Sequence, residues 1–580
     1  MTFPNMHTLV RRMENLSPGG WNGNRLSKNQ LEVQPDLFWA DFQTLANQVF
    51  GQGIYYPGAY GSDTTEVEIQ AAIDAAEAST YGGMVLVPPG SWTISTSLTI
   101  NSSNVWLVGC GRGITTLLCD TAMDEVVRVG VSSGTTITSH CGVARLTIDC
   151  AGGATRGLKL YNVQDCDFAE LEVDDATSHG IETDCDSTLA SAGNARVTLD
   201  NIYSHDNGGD GIRLASWREI TGHRLWVYSN AGAGLSLEPF LKSDNSLGLS
   251  AGGHFETIRS MTNTADGIVM DGLERTVITD FGCDGNAGIG LRFSSSFDNS
   301  NAGPGNNALT LSQGYVNNCD GGALAVDEGA VVKDLSMSDV KLVGDIAGAS
   351  DKHGLHLRGA QRCSFAAVTV EAATGCGIYI EDGTHQGSSA ESKTLRFTDC
   401  VVRNCGKSGA TTADGVCLVD ATSDVIFKGI HLDNLLTTSA AGHSEVSIGA
   451  SVTDVAFRDG EILATDGITQ NWDVAAGALD EITMKGMRQG AGNYTPTVAS
   501  EATITLPPCE MITVTGVTTI TAINPLGDGQ SVLFIFPSGL TLTDGATIKL
   551  GSSAGAGTFA VAAGAGVVGR CRASVWYFDV

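Results

Sequence analysis

The stretch SHDNGGDGIRL, Ser204 to Leu214, decides the fold because its second half recurs along the chain. The step from Gly157 to Gly180 is the same length as the steps from Gly211 to Gly234 and from Gly267 to Gly290, and the steps between them are longer. A unit of constant length therefore repeats, and some copies carry an insertion. The copies are TRGLKL at Gly157, SHGIET at Gly180, GDGIRL at Gly211, GAGLSL at Gly234, ADGIVM at Gly267, GIGLRF at Gly290, KHGLHL at Gly354, GCGIYI at Gly377 and ADGVCL at Gly415.

Each unit also contains a second segment in which apolar and polar residues alternate, such as ARVTLDNIYSHDN and REITGHRLWVYSN. Alternation over a short run is typical of strands, and asparagine followed closely by glycine is typical of turns. A unit of two or three short strands cannot bury its apolar face alone, but stacked units can. The sequence therefore predicts an all-β chain built as a right-handed parallel β-helix.

The two ends of the repeat have different patterns. In GSDTTEVEIQAAIDAAEAS, Asp63 and Glu66 have the spacing of a capping box. The apolar residues that follow fall on one helical face, which predicts a helix covering the open N-terminal edge of the solenoid. The repeat fades after about residue 490, where alternating Thr, Val and Ile with Gly and Pro turns predict an antiparallel β-domain. The predicted divisions are 1–50, 51–125, 126–490 and 491–580.

Composition excludes several classes of protein. The formal net charge of −31 argues against nucleic-acid binding, which depends on Lys and Arg contacts to phosphate. No apolar run is long enough to span a membrane, and the first residues do not resemble a signal peptide. The 15 cysteines are scattered without a CxxC pair, so most are predicted to be buried free thiols.

Three stretches carry a resemblance to a known family. They are VFGQGIYYPGAYGSDTTEVEIQAAIDAA with GGMVLVPPGSW, the coils over about 150–470, and ITVTGVTTITAI through VWYFDV near the C-terminus. Together they resemble the pectate-lyase-like superfamily, and within it the bacteriophage tailspike depolymerases. The resemblance implies a homotrimer in the virion tail that binds and cuts a bacterial surface or extracellular polysaccharide. It further implies that residues 1–50 attach to tail or baseplate proteins and that 491–580 serve trimerisation or glycan binding.

A metal site is not predicted from any motif. The segment DNGGDG offers oxygen ligands that calcium could use, but the acidic positions of an EF-hand are missing and the aspartate does not recur in every coil. A phosphate-binding loop also fails here, since no Gly-Lys-Ser/Thr follows this segment. An Asn-Gly-Asp corner is therefore the favoured interpretation. No cofactor is predicted, although calcium remains open.

Candidate catalytic carboxylates emerge when the coils are aligned on their glycines. The position four residues after the glycine holds Glu238 and Asp271 in adjacent coils, and the position just before it holds Asp210 and Asp266. Stacked coils are about 4.8 Å apart, close to the ~5–5.5 Å between the two carboxyl groups of retaining glycosidases. These four residues are the predicted source of a catalytic pair. The full first column reads Tyr161, Asp184, Ala215, Glu238, Asp271, Ser294, Asp327 (shifted by one position), Arg358 and Glu381.

An insertion, EPFLKSDNSLGLSAGG, begins at Glu238, and insertions after Gly180, Gly290 and Gly377 are expected to wall a groove on the same side. Three functions stay open. Carboxylate-mediated hydrolysis is favoured by the acidic charge; β-elimination would use Lys242, Arg213, Arg218, His205 or His223 as base or neutralising cation; and a tail protein can bind a receptor without cleaving it. The predicted substrate-binding residues are Asp206, Asp244, Lys242, Arg213, Trp217, Trp226 and Phe240.

Overall fold

A computed structural model of the chain shows a parallel β-solenoid followed by a smaller group of β-sheets. It describes residues 53–59 and 65–578 except 133, 187–192, 242–246, 249, 295–305, 345–351, 386–387, 406–414, 434–443, 464–469, 476–481, 490–491, 494–496, 505, 507–510, 525–530, 545–546, 551–557 and 573–574. The parallel β-helix predicted from the repeat is confirmed.

One face of the solenoid is a sheet of 14 parallel strands within the described residues, called here the short sheet. Each coil contributes one strand, and the residues after the repeat glycines form these strands. The strands are Leu98–Ile100, Met123–Val129, Ala154–Tyr161, Ile181–Asp184, Ile212–Leu214, Leu235–Leu237, Ile268–Asp271, Ile289–Ser294, Gly322–Val326, Leu355–Arg358, Ile378–Glu381, Val416–Leu418, Ser444–Ile448 and Gln470–Val474.

The remaining faces belong to one continuous sheet of 31 described strands, called here the long sheet. Its strands are Gly53–Tyr55, Gly83–Leu86, Gly90–Ile94, Val105–Val108, Thr115–Cys119, Thr138–Ser139, Gly142–Asp149, Val163–Asp174, Asn194–His205, Trp217–Arg218, Thr221–Tyr228, Ser250–Ala251, His254–Met261, Leu273–Glu274, Val277–Asp284, Asn306–Asn307, Thr310–Asn317, Val332–Lys333, Ser336–Val343, Ala360–Gln361, Ser364–Ala366, Thr369–Glu371, Lys393–Thr398, Val401–Arg403, Ser423–Lys428, His431–Asp433, Thr453–Arg458, Glu461–Ile462, Ile482–Lys485, Arg488–Gln489 and Gly492–Asn493.

The long strands bend where a single residue takes the left-handed conformation. Arg224 (φ 54°) and Thr257 (φ 58°) occupy matching places in consecutive strands, between pairs that stay in parallel register. Like a β-bulge, a left-handed residue bends the strand locally. The strand pairing on either side of it is kept. Each coil can therefore wrap around a core while its strands keep their parallel pairing.

The corner that joins the long sheet to the next short strand is held by a ladder of buried asparagines. Nδ2 of Asn207 donates to Oδ1 of Asn230 at 2.8 Å, Asn230 to Asn263 at 3.0 Å, and Asn263 to Asn286 at 2.8 Å. The same oxygens also accept backbone N–H groups, as Oδ1 of Asn263 does from Asn230 at 3.0 Å. At this corner the residue before each asparagine, such as Asp206 (φ 56°), takes the left-handed conformation.

The interior is filled by columns of like residues from successive coils. Phe365, Phe397, Phe427 and Phe457 stack with ring centroids 4.7, 4.6 and 4.7 Å apart, which is the spacing of the strands that carry them. All 14 described cysteines are free, and all but Cys110 are buried, which confirms the prediction for these residues.

The helix Glu66–Ala78 packs against the first coils and covers their open edge, after a 3-10 turn at Pro57–Ala59. The side-chain amide of Gln70 forms the two hydrogen bonds with Thr99 that a neighbouring strand would form. Nε2 of Gln70 donates to the carbonyl of Thr99 at 3.1 Å, and Oε1 accepts from the backbone N–H of Thr99 at 2.8 Å. The predicted inner face is confirmed, since Ile69, Ala72, Ile73 and Ala76 are buried.

The predicted capping box at the start of this helix is wrong. The N-cap is Thr65, in an extended conformation and without a side-chain capping bond, so Glu66 is the first helical residue and not the third. Asp63 lies outside the described residues.

The last described residues form separate sheets of mixed direction. Ser531–Phe536 pairs antiparallel with Ala565–Arg572, which pairs antiparallel with Val575–Phe578, as predicted. Thr497–Ala499, Met511–Thr515 and Ser531–Phe536 instead pair in parallel order, and so does Ile548–Leu550 with Val575–Phe578. The purely antiparallel prediction therefore needs correction: the alternating pattern identifies strands but not their direction. Smaller pairs are Thr503–Ile504 with Ala522–Ile523 and Leu540–Thr543 with Thr558–Val561.

Candidate functional site

The two aligned carboxylate columns lie at opposite ends of the short-sheet strands: Glu238 and Asp271 at the end of a strand, and Asp210 and Asp266 in the corner before one. Leu237 is paired with Met270, which makes the following residues, Glu238 and Asp271, neighbours in adjacent coils. Phe240–Leu241 and Leu247–Gly248 form an antiparallel hairpin directly after Glu238. Asp271 is buried, with 5% of its surface exposed.

Glu238 is part of a charged network that runs across four coils. The guanidinium of Arg213 contacts both oxygens of Glu238, with Nη2 at 2.6 Å from Oε2, and its Nη1 lies 2.7 Å from Oε1 of Glu182. Glu182 is buried and also faces Arg156 and Lys159. Although burial opposes its ionisation, Lys159, Arg156 and Arg213 lower the pKa of Glu182, so it is a fixed negative charge that orients the cations.

Asp210 and Asp266 hold equivalent corners of the solenoid. Each accepts a backbone N–H from the next coil at 2.7 Å, Asp210 from Ala233 and Asp266 from Ile289. A Cβ added to Gly232 would lie 2.3 Å from Oδ1 of Asp210, so this corner requires glycine. The Asn-Gly-Asp motif thus has the structural role that the corner interpretation gave it.

The two corner aspartates differ in their second oxygen. Oδ2 of Asp266 is 2.9 Å from Nη1 of Arg292, which also binds Asp327. Oδ2 of Asp210 is 3.6 Å from Nδ1 of His179. Burial raises the pKa of Asp210; His179 lowers it in part, and the charge of Glu238 raises it further. Asp210 is therefore suited to carry a proton.

A second set of polar side chains lies on the outer surface of the long sheet, before the asparagine corner. The rings of Tyr203 and Trp226 stack with centroids 5.9 Å apart, and those of His205 and Tyr228 with centroids 4.6 Å apart. The guanidinium of Arg112 lies 3.8 Å above the ring of Tyr203. We call these five residues the aromatic strip; its rings are partly exposed and present flat apolar faces.

Carboxylates border the aromatic strip. His205 bridges Glu172, at 3.3 Å from Nε2, and Asp206, at 2.8 Å from Nδ1. Burial opposes protonation of His205, but these two hydrogen bonds raise its pKa overall. Burial, reinforced by Asp149, raises the pKa of Asp174 to about 7. A carboxyl group of this kind exchanges protons near neutral pH.

The sequence-predicted site residues therefore divide between two faces. Arg213, Glu238, Asp271, Asp210 and Asp266 belong to the short sheet or its leading corner, as aligned. Trp226 lies on the long sheet, and Asp206 is an exposed left-handed corner residue. Lys242 and Asp244 lie outside the described residues, as does the side chain of Phe240.

One predicted contact residue is wrong. Trp217 was expected to stack on sugar rings, but its side chain is fully buried and packs edge-on against Phe255, with centroids 6.1 Å apart. In the two-residue strand Trp217–Arg218 of the long sheet, the Trp217 side chain points inward and the Arg218 side chain is exposed. Successive side chains of a strand point to opposite faces, but a strand of two residues is too short for that alternation to be recognised in the sequence.

Sequence reasoning did not select Glu172, Asp174, Tyr203, Glu182 or His179. The first three occupy outward positions of the long strands, and Tyr203 pairs with Glu172 and with Trp226 in flanking coils. Aligning the long strands as well as the short ones would have placed Glu172 and Tyr203 in one column with Trp226, and Asp174 in a second column with His205 and Tyr228. None of the helices in the described part of the chain is long and apolar enough to span a membrane.

Residues 58–239 match the protein family described as rhamnogalacturonase A/epimerase, pectate lyase-like. No curated protein matches the chain. Over residues 58–239 the family match, together with the parallel β-helix, confirms the resemblance to pectate-lyase-like proteins, and phage tail proteins are among the solved structures to which the chain is similar.

Three solved structures illustrate the similarity. Pre-mature gene product 12 of bacteriophage phi29 aligns with a TM-score of 0.51 at 12% identity, over 84% of this chain and 64% of that one. The A-module of Azotobacter vinelandii mannuronan C-5 epimerase AlgE6 gives 0.43 at 16%, over 76% and 100%. Tailspike protein 3 of bacteriophage CBA120 gives 0.43 at 9%, over 86% and 71%. At such identities the likeness shows the fold alone.

Proposed function

We propose that this protein is a phage tailspike-like depolymerase that binds a bacterial surface or extracellular polysaccharide and hydrolyses it. The observation that carries the proposal is that burial raises the pKa of Asp210 and that the negative charge of Glu238, in the next coil, raises it further. Glycoside hydrolysis requires two carboxyl groups in opposite protonation states. The family description, which includes a rhamnogalacturonase, supports a polysaccharide as substrate.

In this proposal Asp210 is the general acid. It donates its proton to the glycosidic oxygen as the bond to the anomeric carbon breaks, while the carboxylate of Glu238 activates water or attacks that carbon. Arg213 and Ser236 orient Glu238, since Arg213 grips both of its oxygens and the Ser236 hydroxyl donates to Oε1 at 3.1 Å. Asp266 and Asp271 are kept as candidates for the second carboxylate.

The aromatic strip, on the long sheet before the asparagine corner, is proposed as the surface that binds the glycan. Trp226 and Tyr203 offer flat ring faces on which sugar rings can stack, and Asp206 and Arg112 offer hydrogen bonds beside them. Phe240, Lys242 and Asp244, on the insertion after Glu238, are proposed to contact the same chain of sugars.

The test compares single variants on purified capsular or extracellular polysaccharide. Asp210→Asn and Glu238→Gln should each abolish the release of reducing ends while the far-ultraviolet circular dichroism stays unchanged. Asp320→Asn, an exposed corner carboxylate in a later coil, is the matched control and should keep full activity. Full activity in both Asp210→Asn and Glu238→Gln would reject this catalytic pair.

A second candidate function is β-elimination on a uronate-containing glycan, favoured by the cations Arg156, Lys159 and Arg213 around Glu182. A lyase leaves an unsaturated sugar with ultraviolet absorbance, whereas a hydrolase releases reducing ends without it. Retained binding with neither product would indicate a receptor-binding tail protein.

Assembly as a homotrimer in the virion tail is part of the same proposal. Light scattering on the purified chain should give three times the chain mass of 60.2 kDa. A monomer at micromolar concentration would contradict the trimer, and immunogold labelling of virions would test the tail location.

A further inference from the structure

The long sheet brings together two histidines and a glutamate from two consecutive coils. The ligand atoms of His223, His254 and Glu256 all lie within 4.8 Å of one another. The two imidazole rings are almost perpendicular, at 84°, with centroids 6.3 Å apart. Two imidazole nitrogens and one carboxylate are the protein ligands of many zinc sites with an open position.

The strand register fixes this arrangement. His223 on strand Thr221–Tyr228 is paired directly with Glu256 on strand His254–Met261. His254 lies two positions before Glu256, so both side chains project from the same face of their strand. The three Cα positions are therefore held by the backbone ladder of two adjacent coils, and only side-chain rotamers must adjust to bring the ligand atoms onto one ion.

These three side chains are not committed to other partners. Within the described residues, the side chains of His223, His254 and Glu256 form no ion pair or hydrogen bond, and the one ring–ring contact of each imidazole is with the other. Four other histidines of the described chain already contact carboxylates. These are His179 with Asp210, His205 with Glu172, His356 with Glu381 and His431 with Glu461.

The surroundings favour a cation. Arg224, the cation next to His223 in sequence, is turned toward Asp200 and bound to it at 2.7 Å. Thr221 and Thr279, which flank the group in the neighbouring register positions, carry no charge. The net charge of −31 raises the local concentration of cations around the whole chain.

We propose that His223, His254 and Glu256 form a binding site for a divalent transition-metal ion of the zinc class. Nitrogen ligands select such ions over calcium and magnesium, which require mainly oxygen ligands. The three protein ligands leave at least one coordination position for water or another ligand. The bound ion would link two consecutive coils. The site is independent of the proposed glycan cleavage.

The test is titration of the metal-stripped full chain with Zn²⁺ and with Co²⁺, followed by calorimetry and by the visible spectrum of bound cobalt. The wild type should bind with a Co²⁺ spectrum of nitrogen and oxygen ligation, and Zn²⁺ should raise its melting temperature. His223→Gln and His254→Gln should each weaken binding at least about tenfold, given that losing even an outer partner costs about 10–100-fold. The matched control His140→Asn, an exposed histidine outside the cluster, should bind as the wild type does.

Two results would overturn the proposal. One is unchanged affinity and stoichiometry in His223→Gln, His254→Gln and Glu256→Gln, which would show that the ion binds elsewhere. The other is a cobalt spectrum of thiolate ligation, which would assign the ion to the cysteines. All three positions are at least partly exposed, so these variants are expected to fold, and circular dichroism verifies it.

Discussion

Arg213 joins the carboxylates of two flanking coils: its Nη1 lies 2.7 Å from Glu182 and its Nη2 lies 2.6 Å from Glu238. The side chain of Arg213 therefore holds both the buried carboxylate of Glu182 and the carboxylate of Glu238, which is proposed to be catalytic. Lys159 and Arg156 complete the surroundings of Glu182. The register of the parallel strands produces this order of charges.

Arg213→Gln is predicted to destabilise the solenoid by about 2 kcal/mol, because charged hydrogen bonds to Glu182 and Glu238 are lost. Arg224→Gln, which removes an exposed pair with Asp200, should cost no more than about 1 kcal/mol. Urea unfolding midpoints of the two variants measure the difference. Equal shifts would contradict the special position of Arg213.

The asparagine ladder predicts a second stability effect. Oδ1 of Asn230 accepts from both Nδ2 and the backbone N–H of Asn207. Asn230→Ala leaves these two buried donors without this acceptor and should lower the free energy of unfolding by about 1–3 kcal/mol for each unsatisfied group. Thr264→Ala, at an exposed turn position in the next coil, is the control and should change stability by less than about 0.5 kcal/mol. Thermal unfolding of the two variants checks the contrast, and a small effect of Asn230→Ala would mean that water replaces the ladder.

The raised pKa of Asp174 predicts how stability depends on pH. A carboxyl group whose pKa rises from 3.8 unfolded to about 7 folded contributes stability that is complete below pH 3.8 and is lost as the pH rises to about 7. Asp174→Asn should therefore stabilise the protein at pH 8, by about 1 kcal/mol after allowance for solvent screening at this half-exposed group. The gain should shrink toward pH 5.

Melting temperatures at pH 5 and pH 8 test this dependence. Asp167→Asn, an exposed carboxylate on the same strand, is the matched control and should show no such difference between the two pH values. An Asp174→Asn shift of the same size at both pH values would show that the charge of Asp174 is not responsible.

Trp226→Ala is predicted to weaken binding of the polysaccharide about tenfold, because an aromatic face of this kind contributes about 0.5–1.5 kcal/mol beyond the apolar area it buries. Affinity should be measured in the Glu238→Gln background so that cleavage does not interfere. Tyr81→Ala, at an exposed aromatic residue near the N-terminal helix, should leave the affinity unchanged. Loss of polysaccharide affinity in both variants would show that the effect is not specific to Trp226.

Much of the fold could be predicted because its signals are local and repeated. The glycine before each short strand recurs at a step that is shared by several coils, and the glycine at the corner admits the aspartate of the preceding coil, as Gly232 admits Asp210. The direction of the C-terminal strands could not be predicted, since alternation is the same in parallel and antiparallel sheets. The inward position of Trp217 was missed for a similar reason: so short a strand has no visible period.

The sequence by itself determined the solenoid, its coil length and the column that contains Glu238 and Asp271. When coils stack, residues at equivalent positions of successive repeats become neighbours in space. Only the tertiary structure decided which charges meet. The partners of Glu238, Asp210 and His223 come from other coils, and the bend at each left-handed residue assigns outward side chains to separate faces. The repeat shows that the coils stack, but the contacts between side chains of different coils depend on the strand register.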